Sequence, residues 1–317
     1  MTRDFSPNRA SIADSYKPDV VLYHHPCSDG MGAAWAVWSR WPGITFSPAS
    51  YEDDKMPDLV GKHVLIVDFS YKRDKLVEIA SRAASVTLLD HHESAERDLA
   101  EWIVTADQLL PPGALARRDP AQYGPPIQAL FDMKRSGAMM AWNYVFPGMN
   151  PPKMIQYIQD RDLWTWALPQ SRAIAAYSQT VNLSFGAFEE LHIELEEPES
   201  FARAADIGAI LVERMDSEIK TAIKATKRFM TIGGHVVPVC NLPYMMASDG
   251  GNILSKGHAF AATYFDLADG RRKFSLRSDN TDPNAANVSL IAASYGGGGH
   301  YHAAGITMPK GWEGDEL

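Results

Sequence analysis

Three short apolar runs near the start of the chain each end in side chains that can bind metal ions or move protons. The runs and the residues at their ends are 19–23 (DVVLY) with His25 and Asp29, 63–67 (HVLIV) with Asp68, and 86–89 with Asp90, His91 and His92. Segments with helical spacing of apolar residues separate them, which indicates βαβ units around a parallel sheet. The carboxyl ends of parallel strands share one edge, where open α/β folds bind their ligands. The pattern therefore predicts an α/β fold with a site at this edge.

The length of the chain predicts two domains, because one hydrophobic core rarely serves 317 residues. Residues 1–18 are polar and form a predicted flexible lead-in, followed by a predicted parallel-sheet α/β domain at 19–198. A long helical pattern at 199–229 is the predicted connector. Residues 230–317 alternate short strands with turns, including the hairpin signal ADG at 268–270, and form a predicted smaller α/β domain.

Charge and cysteine content narrow the class of protein. The net charge of −9 argues against a protein that coats long nucleic acid, which normally carries a basic balance. Residues 218–310 reverse the sign, with ten Lys or Arg against six Asp or Glu, which suits a small anionic ligand. Two cysteines give no disulfide framework, and no apolar run reaches the roughly 18 residues that a bilayer requires. We therefore expect a cytoplasmic protein without a membrane partner.

The residue types at the strand ends indicate a metal centre. Mixed carboxylate and imidazole ligands suit manganese better than a structural zinc site, which favours several cysteines. With Asp160 or Asp162 from a later helix, the chain has enough ligands for two ions that share a carboxylate. Two ions about 3.5–4 Å apart can bind a phosphoryl oxygen, activate a water and stabilise the entering and leaving oxygens. The chemistry predicted is metal-assisted hydrolysis of a phosphoester.

Five motifs, in this order, resemble those of one known family. HHPCSDG, VDFSY, LLDHHES and YIQDRDLW resemble the four motifs of the DHH phosphoesterase family, and GGGGHYHAAGI resembles the glycine-rich signature of its DHH-associated C-terminal domain. The resemblance covers nearly all of the chain beyond residue 18 and is strongest to the branch that hydrolyses small oligoribonucleotides (nano-RNA). It implies a DHH domain, a helical connector and a DHH-associated domain.

The resemblance also implies roles for single residues. His25, Asp29, Asp68 and His91 would be manganese ligands, with Asp68 bridging two ions. Asp90 would orient the neighbouring histidine, and His92 would contact the scissile phosphate or assist the leaving oxygen. For the fourth motif Asp160 is preferred, because it directly follows the helical run MIQYIQ, and Asp162 is the alternative.

One position departs from the family's pattern. Cys27 stands where the first motif commonly has an aspartate ligand. A thiolate is a softer ligand that must first lose its proton, so it changes metal preference. Three outcomes stay open: Cys27 binds metal, His24 substitutes for it, or the first metal site is weak or empty.

The C-terminal motif implies a binding loop for the substrate. Gly298, Gly299 and His300, together with Arg277, would hold a terminal phosphate or nucleotide, because glycines let backbone amides approach an oxyanion closely.

These observations predict a manganese-dependent, exonuclease-like phosphodiesterase that acts on short single-stranded RNA or DNA or on a small nucleotide, and a homodimer is compatible with them. Three alternatives remain: hydrolysis of a cyclic dinucleotide or its linear product, hydrolysis of pyrophosphate or polyphosphate, and a non-catalytic nucleotide-binding protein whose metal site has decayed at Cys27. Metal stoichiometry and a comparison of substrates discriminate among them.

Overall fold

The computed structural model describes residues 13–50 and 56–316. The chain divides into two compact units, whose boundary in the sequence falls between Ala209 and Ile210. Most of the predicted lead-in, residues 1–12, lies outside the described residues. Within the described part of the chain, no helix combines the length and the apolarity that crossing a bilayer requires.

The first unit is built on a sheet of five parallel strands. They are β1 Val20–His24, β2 Thr45–Ala49, β3 His63–Val67, β4 Ser85–Asp90 and β5 Ile127–Phe131. Their order across the sheet is β2-β1-β3-β4-β5. This confirms the predicted parallel sheet. The edge strand β2 was not predicted, since it contains Pro48 and lacks an apolar run.

Helices separate the strands and cover the sheet. In chain order they are α1 Ser28–Arg40, α2 Arg73–Arg82, α3 Glu93–Asp98, α4 Pro112–Leu115, α5 Pro120–Tyr123, α6 Gly137–Val145, α7 Lys153–Asp162, α8 Ser171–Ser178, α9 Phe185–Glu196 and α10 Pro198–Thr226, with short 3₁₀ turns at Ala13–Tyr16 and Ala100–Trp102. The N-cap predicted at Ser136 is confirmed, because its hydroxyl accepts a hydrogen bond from the Met139 amide.

Both faces of this sheet are buried, which explains why its strands read as continuous apolar runs. Alternate residues enter two separate cores. Val21, Leu65 and Leu89 pack with α1, α6 and α7 in one core, and Leu22, Ile66 and Leu88 pack with α2 in the other. Packing on both sides leaves the ends of the strands as the part of the sheet that can present polar side chains.

The second unit has a mixed sheet with helices against it. Its elements are β6 Arg228–Ile232, β7 His235–Asn241, α11 Ala247–Ser255, β8 Ala261–Asp266, β9 Arg272–Arg277, α12 Val288–Ser294, β10 Gly298–His300 and β11 Ala303–Met308, with a 3₁₀ turn at Tyr244–Met246. The strand order is β10-β11-β9-β8-β7-β6, with β7 and β8 parallel and the other pairs antiparallel. The predicted hairpin is confirmed as β8 and β9, whose turn ends at Gly270 with φ 87°. The mixed α/β class predicted from the sequence is therefore confirmed.

Candidate metal centre

The three central strands of the first unit deliver polar side chains to one place. His24 ends β1, Asp68 directly follows β3, and Asp90 ends β4 with His91 next in the chain. Because β1, β3 and β4 are neighbours in the sheet, these residues meet at its carboxyl edge. The His91 Nε2 atom lies 3.1 Å from Asp68 Oδ1, 3.5 Å from Asp29 Oδ2 and 3.6 Å from Asp162 Oδ2.

The first turn of α6 holds Asp29 in place. The Gly137 amide donates to Asp29 Oδ2 at 2.6 Å, and the Ala138 amide donates to Oδ1 at 2.9 Å. These amides belong to the start of a helix, where backbone N–H groups have no partner within the helix and the helix dipole favours a negative charge. The carboxylate of Asp29 is therefore buried, with a fixed orientation toward His91.

Asp68 occupies a tight position. Its backbone is in the left-handed region, with φ 56°, which is uncommon for a residue other than glycine and recurs at functional sites. A Cβ atom at Gly137 would lie 2.4 Å from Asp68 Cβ and 2.6 Å from its Oδ1. Position 137 must therefore be glycine for Asp68 to point into the cluster.

Asp90 is fully buried and organises His92. Its Oδ1 atom accepts the His91 amide and lies 2.7 Å from His92 Nδ1, and Ser70 donates its hydroxyl to Oδ2. Since a carboxylate can only accept, the proton in the pair lies on His92 Nδ1. The histidine that Asp90 orients is thus His92, while the ring of His91 faces the other aspartates.

The structure places Asp160 and Asp162, the two candidates of the fourth motif, in different surroundings. Asp160 carboxylate oxygens accept hydrogen bonds from Thr165, Ala167, Leu168 and Ser171, so this carboxylate shapes the segment after α7. Asp162, at the end of α7, instead offers a ligand atom in a group with Asp29 and His91.

His25, predicted as a ligand, and its neighbour His24 likewise lie in different surroundings. His24, Cys27 and Asp68 form a group whose ligand atoms lie within 4.8 Å of one another, and no such group among the described residues contains His25. Successive side chains at the end of a strand point to opposite sides. His24 stacks on Phe69, and His25 meets Tyr23 edge-on.

Negative charge dominates the cluster. Burial raises the pKa of Asp29 well above its usual range, and Asp68 and Asp162 raise it further. Desolvation, reinforced by Asp68, also raises the pKa of Asp162. Burial would raise the pKa of Asp68 too, but His24 and His91 outweigh it and lower that pKa. Several carboxylates thus compete for the same small volume.

Cys27 lies within this negative field. Desolvation raises the pKa of its thiol well above the usual range, and Asp68, Asp29 and Asp162 add to the effect, while the Gly30 amide opposes it. This partly buried group of carboxylate, imidazole and thiol side chains is a donor set that fits divalent metal ions, whose positive charge would remove the repulsion among the carboxylates.

The predicted substrate-binding residues lie together in the second unit. Arg277 on β9 and His300 on β10 both pair with Ala303 of the intervening strand β11, and residues directly opposite in antiparallel pairs point to the same face. Gly298 pairs with Gly305, and Gly299 has φ 143°. A Cβ atom at Gly299 would lie 2.4 Å from the Ala303 carbonyl oxygen, so this glycine allows the tight hairpin.

An aromatic cluster next to Asp162 was missed in the sequence. The rings of Trp164 and Trp166 are 4.9 Å apart, and the Arg161 guanidinium lies 4.4 Å from the centre of the Trp164 ring. Both tryptophans are half-buried and have left-handed backbone angles, φ 57° and 52°. The sequence signal was Trp164, the last residue of the fourth motif, with Trp166 two positions later.

Comparisons with known proteins agree with this fold. No family model matches the chain. Its sequence is similar to that of uncharacterized protein R106 of Acanthamoeba polyphaga mimivirus, with 28% identity over 95% of this chain and 70% of that protein. Its structure is similar to the DHH domain of a protein described as belonging to a family of ribosomal proteins, with a TM-score of 0.52, 14% identity, and coverage of 92% of this chain and 83% of that one. A pGpG-specific phosphodiesterase, PggH from Vibrio cholerae, gives a TM-score of 0.43 and 13% identity over 92% of this chain and 93% of that chain. The chain has the fold of a DHH-domain protein.

Proposed function

We propose that this chain is a metal-dependent phosphodiesterase of the DHH family that hydrolyses short oligonucleotides. The observation that carries the proposal is the convergence of Asp29, Asp68, His91 and Asp162 at the carboxyl edge of the sheet, with His24 and Cys27 beside them. The ions are proposed to be two, with Mn²⁺ in at least the oxygen-rich group of Asp29, His91 and Asp162. The DHH-domain fold supports the proposal.

We assign separate roles to Asp68, Asp90 and His92. Asp68 has one oxygen near His91 and the other near His24, which suits a carboxylate shared by two ions. Metal ions held here would activate a water and stabilise charge on the phosphoryl oxygens. Asp90 holds His92 through Nδ1, so the proton that His92 can give to the leaving oxygen is on Nε2. Burial would lower the pKa of His92, but the charge of Asp90 outweighs it and raises that pKa, which favours the acid role.

In the second unit we propose that Arg277 and His300 bind a phosphate or nucleotide end of the substrate, with Gly298 and Gly299 leaving space for close approach. The register of strands β10, β11 and β9 supports this proposal, because it places Arg277 and His300 on one face, on either side of the small side chain of Ala303. Arginine suits this role because its guanidinium can bind a phosphate through two parallel hydrogen bonds.

The test of this function is a panel of substrates with a matched inactive variant. Purified protein is assayed with and without Mn²⁺ on an RNA dinucleotide, a longer RNA, a DNA dinucleotide, a cyclic dinucleotide and pyrophosphate. We expect Mn²⁺-dependent cleavage, fastest on a dinucleotide, and a loss of at least about 100-fold in Asp68→Asn, because even outer partners of metal ligands contribute tenfold or more. Unchanged circular dichroism of the variant is the control. If the cyclic dinucleotide or pyrophosphate were turned over faster, that molecule would be the preferred substrate in place of a short oligonucleotide. No turnover of any substrate would overturn the function.

The tryptophans beside Asp162 favour a substrate that carries a nucleobase. Stacking of a base on an aromatic ring contributes about 1–3 kcal/mol, so Trp164→Ala is expected to raise KM for a dinucleotide by about tenfold. Trp164→Phe keeps an aromatic ring and is expected to restore most of the affinity. Turnover of an abasic dinucleotide, which has no base to stack, is expected to be the same in all three proteins. An equal loss on both substrates would mean that Trp164 only supports the fold of the site.

A further inference from the structure

Two different groups of ligand atoms lie next to the Asp68 carboxylate, which belongs to the first of them and contacts His91 of the second. One group is His24, Cys27 and Asp68, and the other is Asp29, His91 and Asp162, each with its ligand atoms within 4.8 Å of one another. Asp68 Oδ2 lies 3.4 Å from His24 Nδ1, and its Oδ1 lies 3.1 Å from His91 Nε2. One oxygen of Asp68 therefore faces each group.

The two groups differ in donor chemistry. Asp29, His91 and Asp162 present two carboxylates and one imidazole, a set that suits Mn²⁺ or Mg²⁺. His24, Cys27 and Asp68 present an imidazole, a sulfur and a carboxylate. Sulfur ligands select softer ions, and Zn²⁺ binds cysteine, histidine and aspartate together, whereas Mn²⁺ is the weakest binder of the first-row divalent series.

We propose that His24, Cys27 and Asp68 form a site for a thiophilic divalent cation, Zn²⁺ in the first place, so that the centre binds two chemically different metal ions. The proposal rests on the proposed function for the presence of a metal centre, and it assigns the identity of one ion. In this proposal Cys27 is a metal ligand, and cysteine in place of the aspartate of the motif changes which metal ion the site prefers.

Three observations place this site. The Oδ2 atom of Asp68 is buried and accepts no hydrogen bond from any described residue, and it is directed toward His24 and Cys27. The stacking of the His24 ring on Phe69, with ring centres 5.9 Å apart, fixes its direction. Cys27 is the N-cap residue of α1, and its sulfur lies within 4.8 Å of the ligand atoms of His24 and Asp68.

The experiment uses Co²⁺ as a spectroscopic probe for the zinc site. The full chain is stripped with a chelator and titrated with Co²⁺, because a cobalt–thiolate bond gives a near-ultraviolet charge-transfer band that oxygen and nitrogen ligands do not give. We expect the band to saturate at one Co²⁺ per chain and to be absent in Cys27→Ser. Cys240 is the other cysteine of the chain and is buried in the core of the second unit, so Cys240→Ser is the matched control and is expected to keep the band.

A competition experiment measures the preference itself. Stripped protein is dialysed against equimolar Zn²⁺ and Mn²⁺, and its metal content is determined by mass spectrometry. We expect the wild-type chain to take up Zn²⁺ in preference to Mn²⁺, and Cys27→Asp to lose at least about tenfold of that zinc over manganese selectivity, the lower range of effects at metal sites. Bound Co²⁺ without a charge-transfer band, a band that persists in Cys27→Ser, or equal selectivity in Cys27→Asp would each overturn the proposal.

Failure of this proposal and failure of the proposed function give different results. Mn²⁺-dependent hydrolysis without the cobalt–thiolate band would support the proposed phosphodiesterase function and overturn the proposed zinc site. A charge-transfer band that saturates at one equivalent of Co²⁺, without hydrolysis of any substrate, would support the proposed zinc site and overturn the enzymatic function.

Discussion

The substitution Asp162→Asn is expected to lower metal-dependent hydrolysis by at least about 100-fold with little change in stability. The substitution Asp160→Asn is expected to lower stability and to change hydrolysis much less. Asp162 lies with Asp29 and His91, and its side chain is 29% exposed, so its loss removes a ligand and little packing. Asp160 is buried and accepts hydrogen bonds from two hydroxyls and two amides. Because hydrogen bonds to a charged group contribute about 1.5–3 kcal/mol, Asp160→Asn is expected to cost about 2–3 kcal/mol of unfolding free energy.

The two variants are compared by urea denaturation and by binding of Mn²⁺ in calorimetry. Each is the control for the other, since the same chemical change is made two residues apart on one helix. If Asp160→Asn abolished Mn²⁺ binding while Asp162→Asn left it intact, the assignment of the fourth motif to Asp162 would be wrong.

The Asp160 comparison also has a pH dependence with a defined sign. Burial would raise the pKa of Asp160, but hydrogen bonds from Ser171, Thr165 and two amides outweigh it, and the folded pKa is lowered. A lowered pKa stabilises the fold above the unfolded value of about 3.9, and that contribution is lost as the pH falls through the folded pKa. The stability difference between wild type and Asp160→Asn is therefore expected to be largest at neutral pH and to shrink below about pH 4.

An alanine at position 137 is the second substitution with a large expected effect. Its Cβ atom would lie 2.4 Å from Asp68 Cβ and 2.7 Å from Asp68 Cγ, far inside van der Waals contact. Either Asp68 or the start of α6, which holds Asp29, has to move. We expect Gly137→Ala to cost about 1–3 kcal/mol, as other overpacked substitutions do. We also expect it to lower hydrolysis by at least about 100-fold, the upper range of losses at metal-site partners.

Gly186→Ala is the matched control for this substitution. Gly186 lies in the first turn of α9, and a Cβ atom there would meet nothing within 4 Å. Alanine is favoured over glycine in a helix by about 0.5–1 kcal/mol, so this variant is expected to keep full activity and to gain slightly in stability. Calorimetry with Mn²⁺ separates loss of the metal site from loss of the fold. Wild-type Mn²⁺ affinity in Gly137→Ala would contradict the role of position 137.

The sequence was sufficient to predict the part of the fold that carries the site. Strands β1, β3 and β4 have apolar residues on both faces, stop at polar residues and are separated by helical patterns, so their type, parallel direction and shared edge followed from the sequence. The edge strand β2 did not follow, because its exposed residues and Pro48 give no such pattern. Pairing with β1 makes it a strand, and pairing is not visible in a single segment.

At two places the structure brings the neighbour of the preferred residue to the cluster, and the physical reason is the same in both. His24 and His25 are adjacent at the end of a strand, and Asp160 and Asp162 are two residues apart at the end of a helix. Neighbouring strand residues point to opposite sides, and residues two apart on a helix are separated by about 200°. In each pair one side chain faces the cluster and the other faces away. Which of the two faces the cluster depends on how the strand or helix is rotated about its axis at its last residues. Motif spacing indicates the pair, and only the packed structure shows which member lies in the cluster; that this member binds metal stays a prediction.

Backbone amides of α6 hold the Asp29 carboxylate, and the consequence concerns the order of events in loading the centre. Ligand geometry in small zinc domains arises only when the ion binds, so those chains unfold when they are chelated. In this chain, helix α6 holds Asp29, a proposed ligand, and Ser70 holds the Asp90 carboxylate that orients His92. On the proposed assignment, the apoprotein is therefore expected to stay folded, so that metal exchange proceeds on the folded chain and does not depend on its folding history.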